Sequence, residues 1–337
     1  MQVSVIGAGV AGLSCALELA ARGADVQLLE RAGAPGPAAC SWFAGGMLAP
    51  WCELESCGPL IAQLGAESLP WWREHFPGTV LNGTLVVAHG RDLPELTQFA
   101  RRTGHCRPLD AAAVAALEPE LAGRFAHGLH FADEGHLDPR AALSALLERA
   151  RACGVTVRFG TAGGAEIRGP VIDCTGLAAR AVLQDLRGVK GEMLLLRLPE
   201  LELARPVRVL HPRLPVYVVP RGAGLFLVGA TMLESDAATR VSARSLLELL
   251  SAAYALHPAF GEAEVLEIGS GVRPAFPDNQ PRLEWRGQRL HVNGLYRHGY
   301  LIAPALLEVA LQIVADGHSE LGIALGLAME LEPSCAC

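Results

Sequence analysis

The first residues with the types and spacing to do chemistry are three glycines near the start of the chain. Gly7, Gly9 and Gly12 form G-x-G-x-x-G directly after Val3 to Ile6, an apolar run typical of a buried parallel strand. The first glycine allows a tight turn, the second lets backbone approach a pyrophosphate, and the third lets strand and helix pack closely. Phosphates bind at the N-terminus of the following helix. The pattern predicts a dinucleotide-binding turn.

Glu30 supports this interpretation. It ends a second predicted strand, Asp25 to Leu29, and follows Gly7 by 23 positions, close to the spacing of a carboxylate that accepts hydrogen bonds from an adenosine ribose. A helix at 11–21 separates the two strands. Glycine-rich turns also arise in ordinary helix–strand packing, but here strand, glycines, helix, strand and acid occur in order. The turn does not distinguish NAD from FAD.

The length and the charge of the chain limit the class of protein to which it can belong. The 337 residues suggest about two domains, and a hydrophobic fraction of 51% is ample for two cores. The net charge is −7 and the arginines are scattered without a basic block, which argues against a nucleic-acid partner. No apolar run approaches the roughly 20 residues of a spanning helix, and the start does not resemble a signal peptide. We expect a soluble cytoplasmic protein without a membrane association.

The cysteines give no metal or disulfide pattern. Nine are present without a C-x-x-C pair, so we expect reduced and mostly buried thiols. Cys52 and Cys57 with Glu53 and Glu55 imitate a metal cluster, but no paired His/Cys set completes it, and we predict no metal site. The C-x-C at 335–337 falls in a tail that we expect to be frayed.

Two kinds of pattern divide the rest of the chain. The predicted helices are 61–75, 93–103, 111–117, 139–153, 243–256 and 304–315. The predicted strands are 84–88, 127–132, 155–159, 171–174, 192–198, 207–210, 216–220, 225–230 and 289–292. Trp71 and Trp72 in the first of these helices are expected to pack rather than to form a stacking platform.

The order of these elements predicts an α/β fold in which two units alternate along the chain. A strand that ends at Thr175-Gly176 fits a doubly wound sheet that meets its cofactor again at the carboxyl edge of a strand. The strands from 192 to 230 follow one another at hairpin spacing, which indicates an antiparallel sheet. We therefore expect a Rossmann-like cofactor domain interleaved with an α+β substrate domain, and a site between them.

Four segments match a known family. They are Cys40-Ser41-Trp42-Phe43-Ala44-Gly45-Gly46-Met47-Leu48-Ala49-Pro50, Tyr217-Val218-Val219-Pro220-Arg221 with Gly229-Ala230-Thr231-Met232, Gly271-Val272-Arg273-Pro274, and Tyr296-Arg297-His298-Gly299-Tyr300-Leu301-Ile302-Ala303-Pro304. With the opening turn, they resemble the D-amino-acid-oxidase superfamily of flavoproteins, and within it the glycine oxidases of thiamine thiazole biosynthesis. The resemblance runs from the first strand to about residue 315.

The resemblance implies a cofactor, a reaction and a division into domains. The cofactor is noncovalent FAD, and the implied domain limits are 1–75, 133–188 and 268–333 for FAD binding and 76–132 and 189–267 for the substrate. The implied reaction is oxidative deamination of glycine or another small amino acid, with hydride transfer from Cα to flavin N5 and reoxidation by O2 to H2O2. The imine would supply thiazole synthesis, and a homo-oligomer and a thiazole synthase partner are implied.

The resemblance also assigns the residues at the substrate. Arg273 matches the carboxylate-binding arginine, and its planar guanidinium suits a bidentate clamp. Tyr217 matches a tyrosine that lines the site, Arg297 is placed near the flavin and the entrance, and Met232 and Met47 would shape an apolar pocket. Structural alternatives stay open: a core tyrosine, a solvated arginine and two packing methionines.

The cofactor residues come from six segments. In the small, glycine-rich segment from Ser41 to Leu48, backbone can approach a flat ring or a phosphate. His298 to Ile302 precede a predicted helix, so their N–H groups would face the flavin O2 region. The candidate set is Gly7, Gly9, Val10, Ala11, Gly12, Glu30, Arg31, Ser41, Gly45, Gly46, Met47, Leu48, Thr175, Gly176, Arg273, His298, Gly299, Tyr300, Leu301 and Ile302.

The chain also departs from its relatives. Gly271 stands near the position where the sarcosine-oxidase branch carries its flavin-linked cysteine, which favours the amino-acid-oxidase branch. Pro215 and Leu295 replace polar residues, so the substrate is less determined than the chemistry. The adenine contact within 161–169 cannot be placed. Two alternatives remain: a dehydrogenase of the same fold that acts on D-amino acids or secondary amines and reduces a quinone or protein, and a flavin-binding subunit without turnover of its own.

Overall fold

The computed structural model describes residues 1–161, 166–210, 216–237, 240–327 and 329–330. Its helices are α1 Val10–Ala21, α2 Leu54–His75, α3 Leu93–Thr103, α4 Ala111–Leu117, α5 Pro139–Ala152, α6 Ala243–Leu256, α7 Gly299–Asp316 and α8 Glu320–Ala324. Its first nine strands are β1 Gln2–Ile6, β2 Asp25–Leu29, β3 Met47–Leu48, β4 Thr84–Ala88, β5 Arg107–Asp110, β6 His127–Phe131, β7 Gly135–His136, β8 Thr156–Arg158 and β9 Val171–Asp173. The others are β10 Arg187–Arg197, β11 Val207–Leu210, β12 Val216–Pro220, β13 Leu225–Gly229, β14 Leu233–Glu234, β15 Glu264–Ala275, β16 Arg282–Arg286, β17 Arg289–Asn293 and β18 Met329–Glu330.

Seven strands form the sheet that carries the opening turn, in the order β18-β16-β17-β9-β1-β2-β8. β1 pairs in parallel with β2 on one side and with β9 on the other, so the carboxyl ends of these three strands meet at one edge. Helices α1, α5 and α7 pack with α2 in the core of this unit, which includes Leu13, Leu146 and Leu306. The predicted α/β fold with a Rossmann-like unit is confirmed.

Nine strands form the second sheet, in the order β14-β10-β13-β12-β11-β4-β6-β5, with β15 on the other side of β10. The sequence predicts an antiparallel sheet, but β4 and β11 pair in parallel, because the chain returns to β4 from a distant strand. β15 was not predicted: its small residues around Gly269 and Gly271 carry no alternating pattern, and Phe43 packs over both glycines. The domain limits stay a prediction. Two of them, at 188/189 and 267/268, fall inside strands of this sheet.

Helix α7 begins five residues before the predicted start at Pro304. Proline was interpreted as the first helical residue, since it lacks an N–H. Inside the helix it leaves Tyr300 O without its usual donor, and Trp72 Nε1 donates to that oxygen instead (2.6 Å). Ser68 Oγ accepts from Ala305 N (3.1 Å). Helix α2 therefore supplies the polar partners that let α7 run through a proline.

Helix α2 is also longer than predicted. It begins at Leu54 rather than Ile61, and Gly58 interrupts it with a positive φ of 78° just before Pro59. The packing role expected of the two tryptophans is confirmed, because Trp72 is fully buried and Trp71 packs on it edge to face with ring centroids 5.0 Å apart.

Contrary to the expectation from the sequence, one helix of the described part of the chain, α7, is long and apolar enough to cross a membrane by length and composition. About two-thirds (67%) of it is buried inside the protein, and it packs against α1 and α2. Its position in the core accounts for its apolar composition.

Candidate active site

Two adjoining cavities lie between the sheets. The first, of about 360 Å³, opens at the carboxyl ends of β1, β2 and β9. The second, of about 130 Å³, lies between the start of α7 and the face of the nine-stranded sheet. The residues that line both cavities are Val10, Cys40, Ser41, Tyr296 and Gly299. The two cavities thus form one groove from the glycine turn to the substrate sheet.

The glycine turn leaves no room for side chains. Gly7 has a φ of +100°, and a Cβ there would lie 2.7 Å from Cys174 O. A Cβ on Gly12 would lie 1.7 Å from Gly7 O, so this position is restricted to glycine by the packing of α1 on β1. Gly9 lines the first cavity, and its backbone faces the groove without a side chain in the way.

Polar side chains fix the rim of the first cavity. Glu30 accepts from Ala8 N (2.7 Å) and from Ala32 N (2.9 Å), so its carboxylate joins the glycine turn to the segment after β2. Ser41 Oγ accepts from Val10 N (3.2 Å), which leaves its own proton to donate elsewhere. Glu30 lines the cavity, and the ribose contact expected of it stays a prediction.

The start of α7 presents free donors to the second cavity. His298 N donates to Leu295 O (2.8 Å) and Ile302 N donates to His298 O (2.9 Å). The first N–H groups of a helix have no partner within it, and residues 299–301, which carry these groups in α7, line the cavity. Ile302 itself is fully buried and lines neither cavity, so its expected cofactor contact is corrected.

The groove fits a flavin dinucleotide. The start of α1 with its glycines suits a diphosphate, and the donors at the start of α7 suit the electron-rich edge of a flat ring. Arg221, at the end of β12, holds the segment between them: its Nη2 donates to Gly45 O (2.7 Å) and Ala44 O (3.3 Å), and its Nη1 donates to Leu137 O. Burial lowers the pKa of Arg221 to about 10, so it stays charged at neutral pH.

Arg273 lies on β15 with its guanidinium over β10. A Cβ on Gly191 would lie 2.0 Å from Arg273 Nη2, so the side chain lies flat on a floor that only glycine provides. Its Nη1 donates to Thr231 O (3.2 Å). Burial and the neighbouring Arg297 lower its pKa to about 10, which leaves it cationic. No carboxylate of the described residues lies within 4 Å of it, so this cation faces the cavity without an anionic partner.

A polar cluster at the same cavity joins the predicted residues Tyr217 and Arg297 to Glu53 and Arg208, which were not predicted as site residues. Glu53 accepts from Tyr217 Oη and lies 3.2 Å (Oε2) from Arg297 Nη2. Arg208, opposite Tyr217 in the β11–β12 register, donates from Nη1 to Tyr217 Oη (2.9 Å) and to Cys52 O (2.7 Å). We call these four side chains the Glu53 cluster: Glu53, Arg208, Tyr217 and Arg297.

The charges of the Glu53 cluster are set by its two arginines. Burial by itself would raise the pKa of Glu53, but Arg297 and Arg208 lower it to about 2. Burial raises the pKa of Tyr217 well above its usual value, so the phenol stays protonated. The signal for Glu53 was available: an acid in an apolar segment whose neighbours match the family motif. Arg208 has no comparable signal, since it reaches the site only through strand pairing.

The structure brings most of the predicted site residues into the groove. Those lining the first cavity are Gly7, Gly9, Val10, Ala11, Glu30, Arg31, Ser41, Thr175, Gly176 and Gly299. Those lining the second are Val10, Ser41, Gly45, Gly46, Met47, Tyr217, Arg273, Arg297, His298, Gly299, Tyr300 and Leu301. Burial lowers the pKa of His298 to about 4, so its ring is neutral at neutral pH.

Three further predicted residues line neither cavity. Gly12 lies where α1 packs on β1. Leu48 is fully buried in the core of the parallel-sheet unit because it belongs to β3, whose partner is β7. Met232 is 45% exposed, and its sulfur accepts from Arg297 Nη1 (3.1 Å), so it covers the arginine from the solvent side rather than forming an apolar wall. Pro215, at which the family pattern departs, and residues 162–165 of the segment expected to meet adenine lie outside the described residues, as does the C-x-C at 335–337.

In the described residues no group of three or more His, Cys, Asp and Glu side chains is placed to hold a metal ion. The seven described cysteines are unpaired: Cys15, Cys52 and Cys57 are buried, and Cys153 is exposed. The expectation of mostly buried thiols therefore holds for some of them only.

Comparisons with known proteins agree with this site. A model of the family "DAO: FAD dependent oxidoreductase" matches residues 2–310. Over 319 residues, 94% of this chain and 97% of the relative, the chain is 54% identical to a Rhizobium etli protein named as a candidate thiamine biosynthesis oxidoreductase, ThiO. It is 27% identical to the bifunctional protein ThiO/ThiG of Synechocystis sp. over 93% of this chain and 51% of that longer protein.

A solved structure agrees as well. The crystal structure of glycine oxidase from Geobacillus kaustophilus is similar with a TM-score of 0.80 and 25% identity, over 94% of this chain and 95% of that one. The predicted superfamily and the predicted FAD cofactor, bound noncovalently, are confirmed. Since the family model spans nearly the whole chain and the groove fits the family's cofactor, the chain is an FAD-dependent oxidoreductase of the ThiO and glycine oxidase type and belongs to the DAO family.

Proposed function

We propose that this enzyme oxidises glycine or another small amino acid at Cα. The observation that carries the proposal is Arg273, a cation in the second cavity with no carboxylate partner among the described residues. A guanidinium of this kind binds a carboxylate through two parallel charge-assisted hydrogen bonds. The substrate carboxylate would supply the missing anion, and the glycine oxidases to which the chain is similar favour a small side chain or none.

The residues of the cavity position the substrate and do not remove a proton from it. Glu53 is held as a carboxylate with a pKa of about 2, so it is too weak a base for an ammonium. His298 is a neutral ring that adds no positive charge near the amine. The amine therefore enters in its neutral form, as transfer of a hydride requires. When bound, FAD would supply the two-electron acceptor for that hydride, and its reoxidation by O2 with uptake of a proton would give H2O2.

The start of α7 adds electrostatic stabilisation. The N–H groups of residues 299–301 and the positive end of the helix face the groove, where a charge that develops during the reaction meets fixed dipoles. Such donors cost no reorganisation at the moment of reaction. Catalysis would then come from positioning by Arg273 and from these dipoles.

We also propose a place for the reaction in thiamine thiazole synthesis, with the imine handed to a thiazole synthase in the cytoplasm. The 54% identity to ThiO and the bifunctional ThiO/ThiG relative support it. A homo-oligomer is part of the same proposal.

The experiment is anaerobic mixing of the holoenzyme with glycine, D-alanine, sarcosine and D-proline, followed at the visible flavin absorbance. Bleaching by glycine or D-alanine with saturation in substrate is the expected result. Oxygen consumption in the same panel separates an oxidase from a dehydrogenase that reduces a quinone or protein. If none of the amines bleaches the flavin, the proposal is wrong and a subunit without independent turnover replaces it.

A further inference from the structure

A buried ion pair lies behind Arg273, on the opposite face of β10. Lys190, the only lysine of the chain, places Nζ 2.8 Å from Glu192 Oε1 and donates to Arg240 O (2.9 Å). Lys190 is 4% exposed and Glu192 is fully buried. Removing both charges from water is costly, and in several proteins such pairs are kept because they fix one conformation. The mechanism proposed above does not use either side chain.

The conformation that Glu192 fixes is that of Thr231. Thr231 Oγ1 donates to Glu192 Oε2 (3.1 Å) and accepts from Glu192 N (3.0 Å). Thr231 N donates to Glu192 O (3.2 Å). Three hydrogen bonds to one residue, in a site that is 2% exposed, leave Thr231 no freedom to turn its peptide group.

Thr231 in turn fixes Arg273. Its carbonyl accepts from Arg273 Nη1 (3.2 Å), and the Arg273 guanidinium makes no other hydrogen bond to the described residues. In the β10–β15 register Val189 lies opposite Arg273, and Gly191 lies opposite Gly271. These four residues therefore share the face of the sheet that meets the cavity. Because side chains alternate along a strand, Lys190 and Glu192 point to the other face. The guanidinium is thus limited from below by Gly191 and held at one end by Thr231.

We propose that Lys190, Glu192 and Thr231 act as positioning residues that orient Arg273 for carboxylate binding. This inference rests on the proposed function, in which Arg273 binds the substrate carboxylate. Lys190 balances the charge of Glu192, Glu192 holds Thr231, and the carbonyl of Thr231 holds one edge of the guanidinium. The remaining N–H groups of Arg273 then point at the carboxylate in a fixed direction, which avoids an ordering cost at each binding event.

The test compares variants that keep or remove the Thr231 hydroxyl. Thr231→Val removes both hydrogen bonds of the hydroxyl at nearly constant shape, and Thr231→Ser keeps them. Thr103→Val is the matched control, because Thr103 on α3 is equally buried and its hydroxyl donates to Phe99 O (2.8 Å), outside both cavities. Each holoenzyme is titrated with acetate, the carboxylate of glycine without its amine, at the visible flavin absorbance. KM and kcat are measured with glycine.

We expect Thr231→Val to weaken acetate binding and raise KM by roughly tenfold, the effect of about one lost hydrogen bond, with kcat within about twofold and FAD content unchanged. Thr231→Ser should recover most of the affinity, and Thr103→Val should match the wild type. If Thr231→Val binds acetate as tightly as Thr231→Ser, the inference is wrong. If Thr231→Val contains less FAD than the wild type but its FAD-bound fraction binds acetate as tightly, Thr231 has a structural role only.

An Arg273→Lys arm separates this inference from the proposed function. If Arg273→Lys and the wild type bind acetate equally, Arg273 is not the carboxylate site, and the proposed function fails together with the inference. If Arg273→Lys weakens acetate but Thr231→Val does not, only the positioning role fails.

Discussion

Gly191→Ala tests the substrate site by adding one methyl group. Its Cβ would lie 2.0 Å from Arg273 Nη2, whereas ordinary contacts begin near 3.4 Å, so the guanidinium must move by about 1.4 Å. The backbone of β10 is extended at this position, and the obstructing atoms are at the flexible end of a side chain. The protein should therefore fold and bind FAD, with Arg273 present but displaced.

The expected effect follows from the geometry of a bidentate pair. Charge-assisted N–H···O bonds are about 2.7–2.9 Å long, so a shift of this size breaks at least one of the two. A misplacement of about 1 Å in a positioned group can cost about 100-fold. We expect kcat/KM for glycine to fall about 100-fold, which is about 2.7 kcal/mol of transition-state stabilisation.

The assay is steady-state oxygen consumption with glycine, together with FAD content and the thermal unfolding midpoint of the holoenzyme. Gly33→Ala is the control, because a Cβ at Gly33 meets nothing within 4 Å and Gly33 lines neither cavity. A Gly191→Ala enzyme with normal FAD content and kcat/KM within about threefold of Gly33→Ala would refute the position assigned to Arg273.

Three further changes test the cluster, the helix and a buried acid. In Glu53→Gln the paired Arg297 loses its carboxylate, so we expect a loss of about 3 kcal/mol of unfolding free energy. Since the pKa of Glu53 is lowered from 4.5 to about 2, this loss should be constant from about pH 5 to 8 in urea titrations and should shrink as the pH falls from 4.5 to about 2. Trp72→Phe leaves Tyr300 O buried without a donor and should cost about 1–3 kcal/mol in the same titrations; a loss below about 0.5 kcal/mol would contradict the partner role of the indole. Burial raises the pKa of Glu134 to about 8, so its contribution to stability is present below about pH 4.5 and is lost as the pH rises through 8. Between pH 5 and 9 the free energy of unfolding of Glu134→Gln should therefore rise relative to that of the wild type. A difference in free energy that does not depend on pH would show that the carboxyl has an ordinary pKa.

Local pattern was sufficient for most of the fold. The opening strand, glycines, helix and acid were readable because each is fixed by neighbours in the chain: Gly7 by its turn, and Gly12 by the approach of α1 to β1. Strands such as β4 and β12 and helices such as α3 and α6 have the predicted bounds because apolar periodicity follows burial directly. The missed strand β15 has no such periodicity, because its glycines make room for Phe43.

Helix α7 illustrates the limit of a local rule. A proline predicts a helix start because its missing N–H is tolerated in the first turn. Whether a helix runs through proline depends on a partner for the carbonyl that is left free, and here that partner is Trp72, more than two hundred residues away in the chain. Only the folded chain contains that information.

The sequence by itself determined the cofactor turn, because that turn depends on residue types at fixed spacing. It also determined the family and, through the resemblance to that family, Arg273 as the candidate carboxylate clamp. The tertiary structure alone decided what surrounds the clamp. Strand pairing places Gly191 beneath Arg273 and Arg208 opposite Tyr217, and the fold brings Thr231 beside Arg273. The physical reason is that hydrogen-bond geometry and burial depend on distances across strands, which spacing along the chain does not specify.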